Sequence, residues 1–262
     1  MEFGKLANVD AVDFSLPLPT AGSLRRLKER QHTAPTTAPL QLRLGGTGWS
    51  NKGWLGRLYP PKTRPADMLG EYVQQFDTIE LNTTHYQIPN ATTVEEWRTQ
   101  AAEHNANFRF MPKMPQFVSH SANLCSAATL EGAERFLTAV APLQPYLGSV
   151  FVQLPPAFAP VRSGELLAFF ERLRASSSAA VAQMPLEVEL RHEAWFLEQN
   201  AAGREAFLEE LGRLGVGLVV TDVAGRRDVA HGHATGVGRL LVRFVGRSEE
   251  RRVGKEGRSR WS

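Results

Sequence analysis

Residues 78–113, TIELNTTHYQIPNATTVEEWRTQAAEHNANFRFMPK, decide the architecture because they change rhythm twice. Thr78–Asn82 and Phe108–Lys113 are short apolar or β-branched runs that read as strands, and Val94–Glu103 between them has helical period. Two strands joined through a helix run parallel, since a tight turn connects only antiparallel neighbours. The same unit recurs on both sides. Further strands are predicted at Leu42–Gly46, Ser149–Leu154, Leu186–Arg191, Val216–Asp222 and Arg239–Val245. Helices are predicted at Ala66–Phe76, Leu130–Pro142, Glu165–Arg174 and Arg204–Leu214, with Leu166, Leu167, Phe169, Phe170 and Leu173 making one clear apolar face. Strand starts fall about every 33 residues between 42 and 239.

A repeated βα unit closes into a barrel or winds into an open sheet. The open sheet calls for a glycine-rich phosphate loop after the first strand, and GGTGWSNKGW (45–54) lacks the Gly-x-Gly-x-x-Gly spacing. The fold class expected is therefore α/β, a TIM-type barrel. Residues 223–238, VAGRRDVAHGHATGVG, have no helical period and read as a loop. Residues 1–40 read as an extended N-terminal lead-in, rich in Pro, Thr and Ala, with one or two helical turns at Leu24–Arg30. The barrel domain is assigned to residues 41–246 and a basic tail to 247–262.

The composition, 42% hydrophobic and 22% charged over 262 residues, excludes a disordered or fibrous chain. No apolar run approaches the roughly 20 residues needed to cross a bilayer, so no membrane partner is expected. A single cysteine, Cys125, rules out an intramolecular disulfide and a cysteine zinc site, which fits a cytoplasmic protein. The formal net charge is +3, but six of the 30 basic and only three of the 27 acidic residues lie in the tail RSEERRVGKEGRSRWS. The body is balanced, so long duplex nucleic acid is not an expected partner.

Barrel chemistry gathers at the C-terminal ends of the strands. Glu80 and Asn82 end the second predicted strand, Lys113 the third, Gln153 the fourth, Glu189 and Arg191 the fifth and Asp222 the sixth, with Arg243 in the seventh. A period of two puts Glu80 with Asn82, and Glu187 with Glu189 and Arg191, on single faces. The bland alternative is a set of satisfied ion pairs, such as Glu189 with Lys113 or Arg191. Against it stands the cost of burying so many charges without a ligand. Trp49, Trp54, Tyr59, Tyr86, Trp195 and Phe196 follow the strands; Trp49, Tyr86 and Trp195 suit stacking on a flat ligand, whereas Trp54 and Phe196 read as roof packing. His231-Gly232-His233 lacks zinc-site spacing, so no metal site is assigned. His192 follows Arg191 and would face away from it, in a turn or supporting role. His85 and His120 lie in loops within reach of the strand ends. No nucleophile elbow, P-loop or HExxH stretch is present.

The segments GTGWSNKGWLGRLYP (46–60), EYVQQFDTIELNTTHYQIP (71–89), FRFMPKMPQFVSH (108–120), VFVQLPPAF (150–158) and LEVELRHEAWF (186–196) resemble the successive motifs of the DUF72, or YecE-like, family. The resemblance covers roughly residues 42–246 and implies a barrel of TIM type with no established activity. It marks Trp49, Glu80, Asn82, Tyr86, Lys113, Gln153, Glu189, Arg191, His192, Trp195 and Asp222 as motif residues. Thr84-His85 departs from the small residue and aromatic that many members carry there. After Gly246 the family pattern continues with a helix and an eighth strand, whereas this chain turns to its basic tail. The tail is therefore expected to be non-native and the barrel C-terminally truncated, with exposed strand edges that favour aggregation.

Three functions stay open. One is an enzyme with Glu80, Lys113, Glu189, Arg191 and Asp222 as catalytic candidates and Trp49, Asn82, Tyr86, Gln153, His192, Trp195 and Arg243 as ligand-binding candidates, of the general acid and base kind that a hydrolase uses. Another is a binding module for a phosphate-bearing small molecule or an exposed nucleic-acid base; its ligand is phosphate- or sugar-like. The last is an inactive fragment. The cofactor is unknown.

Overall fold

The computed structural model describes residues 18–33, 40–221 and 231–244. Two compact units emerge. The described residues of the first lie within Thr36–Gln153 and Gly164–Glu187, and those of the second within Met1–Pro35, Leu154–Ser163 and Val188–Ser262. Asp222 and the tail 247–262 lie outside the described residues. Among the described residues no helix is long and apolar enough to cross a membrane.

In the first unit the chain runs β1 (Gly45–Gly46), α2 (Met68–Gln75), β2 (Thr78–Leu81), α3 (Ala91–His104), β3 (Arg109–Pro112), α4 (Gln116–Ser119), α5 (Ala127–Val140) and β4 (Val150–Gln153), after the N-terminal helix α1 (Ala21–Thr33). The sheet order is β1-β2-β3, all parallel, with Thr78 opposite Arg109 and Glu80 opposite Met111. Parallel bridges at Phe110 with Leu147 and Lys113 with Phe151 bring β4 alongside β3. Helices alternate with these strands, as parallel crossovers require. Gly45 permits the first pairing: a Cβ there would sit 1.8 Å from the Thr78 carbonyl oxygen. Tyr72 bolts the same pair, donating to Thr78 O at 2.9 Å and accepting from Gly46 N at 2.6 Å. The core of this unit holds Tyr72, Val73, Ile79, Leu81, Phe108, Phe110, Phe136, Leu137 and Phe151, all fully or almost fully buried.

Side-chain caps set the helix starts. Asn90 accepts from Thr93 N at 2.8 Å and Ser126 from Thr129 N at 3.2 Å. The caps start α3 at Ala91 and α5 at Ala127, three residues before the positions that apolar spacing alone suggests.

The second half of the chain supplies α6 (Ser163–Arg174), α7 (Ala179–Ala182), β5 (Leu186–Glu189), α8 (Ala201–Arg213), β6 (Val216–Leu218), β7 (Val220–Thr221) and β8 (Val242–Arg243). In the second unit β7 pairs with β8 in parallel. All four residues of β5 are buried, as in strands covered on both faces.

Three expectations need correction. The N-terminal helix has 13 residues, more than three turns, where one or two were expected. It docks through polar residues that an apolar pattern does not reveal: Ser23 and Arg26 are buried, while Leu24 and Leu27 are exposed. The second strand ends at Leu81, and Asn82–His85 forms a 3₁₀ turn, so Asn82 does not continue the face of Glu80. The fifth ends at Glu189, which removes Arg191 from the strand alternation.

Candidate functional site

In the first unit the site is built by one hydroxyl. Thr84 Oγ1 lies 2.7 Å from Leu81 O and 2.8 Å from Lys113 O, and it accepts the Lys113 backbone N–H at 3.0 Å. This buried threonine turns the chain at the end of β2 and ties that end to the end of β3. The consequence is that Lys113 and the Asn82–His85 turn are fixed side by side. Lys113 is 7% exposed, with its Nζ 5.9 Å from the centre of the Phe151 ring. A buried ammonium persists only where negative or aromatic groups compensate it, the Phe151 ring among them. Glu80 and Gln153 are half-buried at the ends of β2 and β4.

His85 is buried, with Nδ1 3.0 Å from Met114 O. Burial pushes its pKa below the ordinary histidine value; the Met114 bond acts the other way, and the nearby Lys113 charge lowers it further. The ring stands 5.5 Å from that of His120 at a steep angle and 5.4 Å from that of Tyr86, which is 78% exposed. His120 Nδ1 in turn lies 3.0 Å from Ser119 Oγ. Trp49 is half-buried edge-on against Trp97, and its carbonyl accepts the Tyr59 hydroxyl at 3.0 Å. A shallow depression on α3, lined by Thr92, Glu95, Glu96, Thr99 and Gln100, is acidic and separate from these strand ends.

The second unit holds the other candidates. Glu189 is fully buried and receives a hydrogen bond from the Arg243 guanidinium, whose side chain is 12% exposed. Arg191 is buried. His192 accepts from Ala194 N at 3.1 Å and caps the 3₁₀ turn Glu193–Trp195. Trp195 is 2% exposed, donates its indole N–H to Phe158 O at 2.9 Å and packs on Phe207, which makes it part of that unit's core.

A polar cluster that the sequence did not suggest also lies in this unit. Arg26 on α1 pairs with Glu205 on α8 at 2.8 Å and donates to Ala234 O at 2.9 Å, while Ser23 accepts from Ala234 N at 3.0 Å. His231 and His233 stack with Phe196, and His233 Nδ1 lies 3.9 Å from Glu205. Burial drives the His231 pKa down to about 3 and that of His233 to about 4, with the Arg204 charge contributing to both. Both rings are therefore neutral near pH 7. Among the described residues no group of three His, Cys, Asp or Glu side chains could hold a metal ion.

The model of the family described as "Protein of unknown function DUF72" matches residues 43–262. The chain belongs to the DUF72 family. The match runs on through the basic tail, beyond the 246 at which the motif resemblance ends. UPF0759 protein YecE of Escherichia coli K12 is 32% identical over 179 residues, covering 68% of this chain and 58% of that protein. The chain thus aligns with a little over half the length of that DUF72 relative. UPF0759 protein YunF of Bacillus subtilis 168 is 26% identical, over 83% of this chain and 74% of its own. The crystal structure of a DUF72 family protein from Thermotoga maritima MSB8 is 25% identical with a TM-score of 0.57, covering 79% of this chain and 75% of that one. A DUF72 family protein from Enterococcus faecalis V583 gives 21% and 0.59, with 79% and 71% coverage, a likeness of fold.

Proposed function

We propose that the protein is a TIM-type barrel enzyme acting on a small anionic, phosphate-bearing or sugar-like molecule at the C-terminal ends of its strands. Lys113 supplies the counter-charge and Glu80 the acid or base. The observation that carries this reading is the buried Lys113 side chain at the end of a parallel strand, where the Thr84 hydroxyl fixes the Lys113 backbone next to the turn that leads to the exposed Tyr86. Strand ends of parallel sheets are where such folds bind ligands. The alternating helices and parallel strands, together with DUF72 neighbours of like fold, support the barrel.

The alternative is a binding module without turnover. One feature favours it: Glu189, the other acid or base candidate, is enclosed and held by Arg243, an arrangement suited to structural support. Binding of phosphate-bearing probes at low salt separates the readings. Lys113→Met is expected to abolish binding with little change in melting temperature, and binding that persists in this variant would refute the site. Glu80→Gln then divides enzyme from module, since it is expected to stop turnover while leaving binding intact.

A further inference from the structure

His85 closes the turn that follows β2, and a neighbouring carbonyl fixes which ring nitrogen carries its hydrogen. Nδ1 lies 3.0 Å from the Met114 carbonyl oxygen. A carbonyl only accepts, so Nδ1 carries the hydrogen, and in the neutral ring Nε2 holds the lone pair. Among the described residues no protein group hydrogen-bonds to this Nε2, and it is not sealed from solvent as Nε2 of His231 is. His120 is held at Nδ1 in a similar way. Ser119 Oγ donates to Pro115 O at 3.2 Å, which leaves that oxygen to accept the His120 Nδ1 hydrogen at 3.0 Å.

A pair of oriented histidines suggests a metal, but Lys113 acts on His85 as a like charge and would oppose a dication in the same way. The ammonium favours an anion. Beside it, the His85 lone pair favours a group with a hydrogen to give.

We infer that His85 is the specificity-determining acceptor of the Lys113 site, selecting small oxyanions that carry a hydroxyl group close to the negative charge. This rests on the Lys113 site proposed above. The hydroxyl donates to Nε2 while the oxyanion faces Lys113, and the exposed Tyr86 ring flanks the ligand. Neither partner suffices for this selection: Lys113 alone accepts any oxyanion, and His85 alone any hydroxyl.

The test uses the full chain labelled with ¹⁵N-histidine and two probes, glycerol 3-phosphate and methyl phosphate, which share the phosphate monoester but differ in free hydroxyls. The first is expected to bind about five-fold more tightly, the worth of one hydrogen bond, and to move the His85 Nε2 resonance; the second leaves that resonance in place. His85→Phe is expected to bind both probes at the level of methyl phosphate. Equal affinities in the wild-type chain, or a hydroxyl preference that survives in His85→Phe, overturn the inference while Lys113-dependent binding preserves the site. Binding of neither probe, or binding unchanged in Lys113→Met, overturns the site and the inference with it. A melting curve for each variant confirms that it is folded.

Discussion

Two histidine pairs with nearly the same ring separation, 5.5 Å for His85 with His120 and 5.7 Å for His231 with His233, occupy opposite chemical situations. The first stands at strand ends next to a cation and an exposed tyrosine, with its Nδ1 atoms tied to backbone-anchored partners. The second is stacked on Phe196, enclosed, and set close to Arg204 and to the Arg26–Glu205 pair that binds α1 and α8 together. The difference teaches that a histidine's role follows from where its second nitrogen faces. An accessible lone pair at a strand end suits recognition, whereas a sealed ring contributes packing and becomes a liability when it must be charged.

The largest expected effect breaks the second pair with acid. Well above pH 6.5 both rings are neutral, folded or unfolded, and add nothing to the pH dependence. Below it the unfolded chain takes up protons that the folded pair refuses until about pH 4 and about pH 3, so stability falls as pH drops through that window. Glu205 acts in the same direction: burial raises its pKa, but the Arg26 hydrogen bond and charge prevail, and its stabilising contribution is lost as it protonates. Together these groups are expected to cost several kcal/mol on the order-of-magnitude scale of such linkage. Urea unfolding at pH 7 and pH 4 measures this loss, and His231→Phe, which keeps the stacking on Phe196, should flatten the slope. An equal slope in that variant would show that the acid sensitivity lies elsewhere.

Next in size is Arg26→Ala, which leaves Glu205 without its buried partner and loosens α1. Breaking such a pair costs about 3–5 kcal/mol when fully enclosed, and about 2 kcal/mol is expected here because Glu205 retains 27% exposure. The shift in denaturant midpoint reads it, and hydrogen exchange should quicken along α1 first. The smallest effect sharpens the first pair. Thr84→Val removes the hydroxyl that joins β2 to β3 and should cost about 1–2 kcal/mol, measured by thermal unfolding, with a larger proportional loss of probe binding. Wild-type probe affinity in Thr84→Val would separate Lys113 placement from this hydroxyl.

The parallel strands were legible because apolar runs such as those around Ile79, Phe110 and Val152 recur with helical segments between them. Their ends were less so. Asn82 looks like a strand residue in the alternation, and only the Thr84 bonds reveal that the chain has already turned. The start of α3 needed the Asn90 cap, a signal present in the sequence but weaker than the apolar spacing. The N-terminal helix was harder still, since it buries a serine and an arginine and leaves its leucines in solvent. For the candidate site, the place of Lys113 at a strand end was legible. The meeting of His85 with His120 was not, because loop residues 35 apart carry no periodicity that joins them.

The Thr84 bridge also provides a clock. The Lys113 amide hydrogen points at the threonine oxygen, 3.0 Å away, while the Leu81 carbonyl stands farther off at 3.4 Å. Its exchange with deuterium therefore times the parting of two neighbouring strand tips, and an anion seated there should slow that one amide well before it alters the melting of the whole chain.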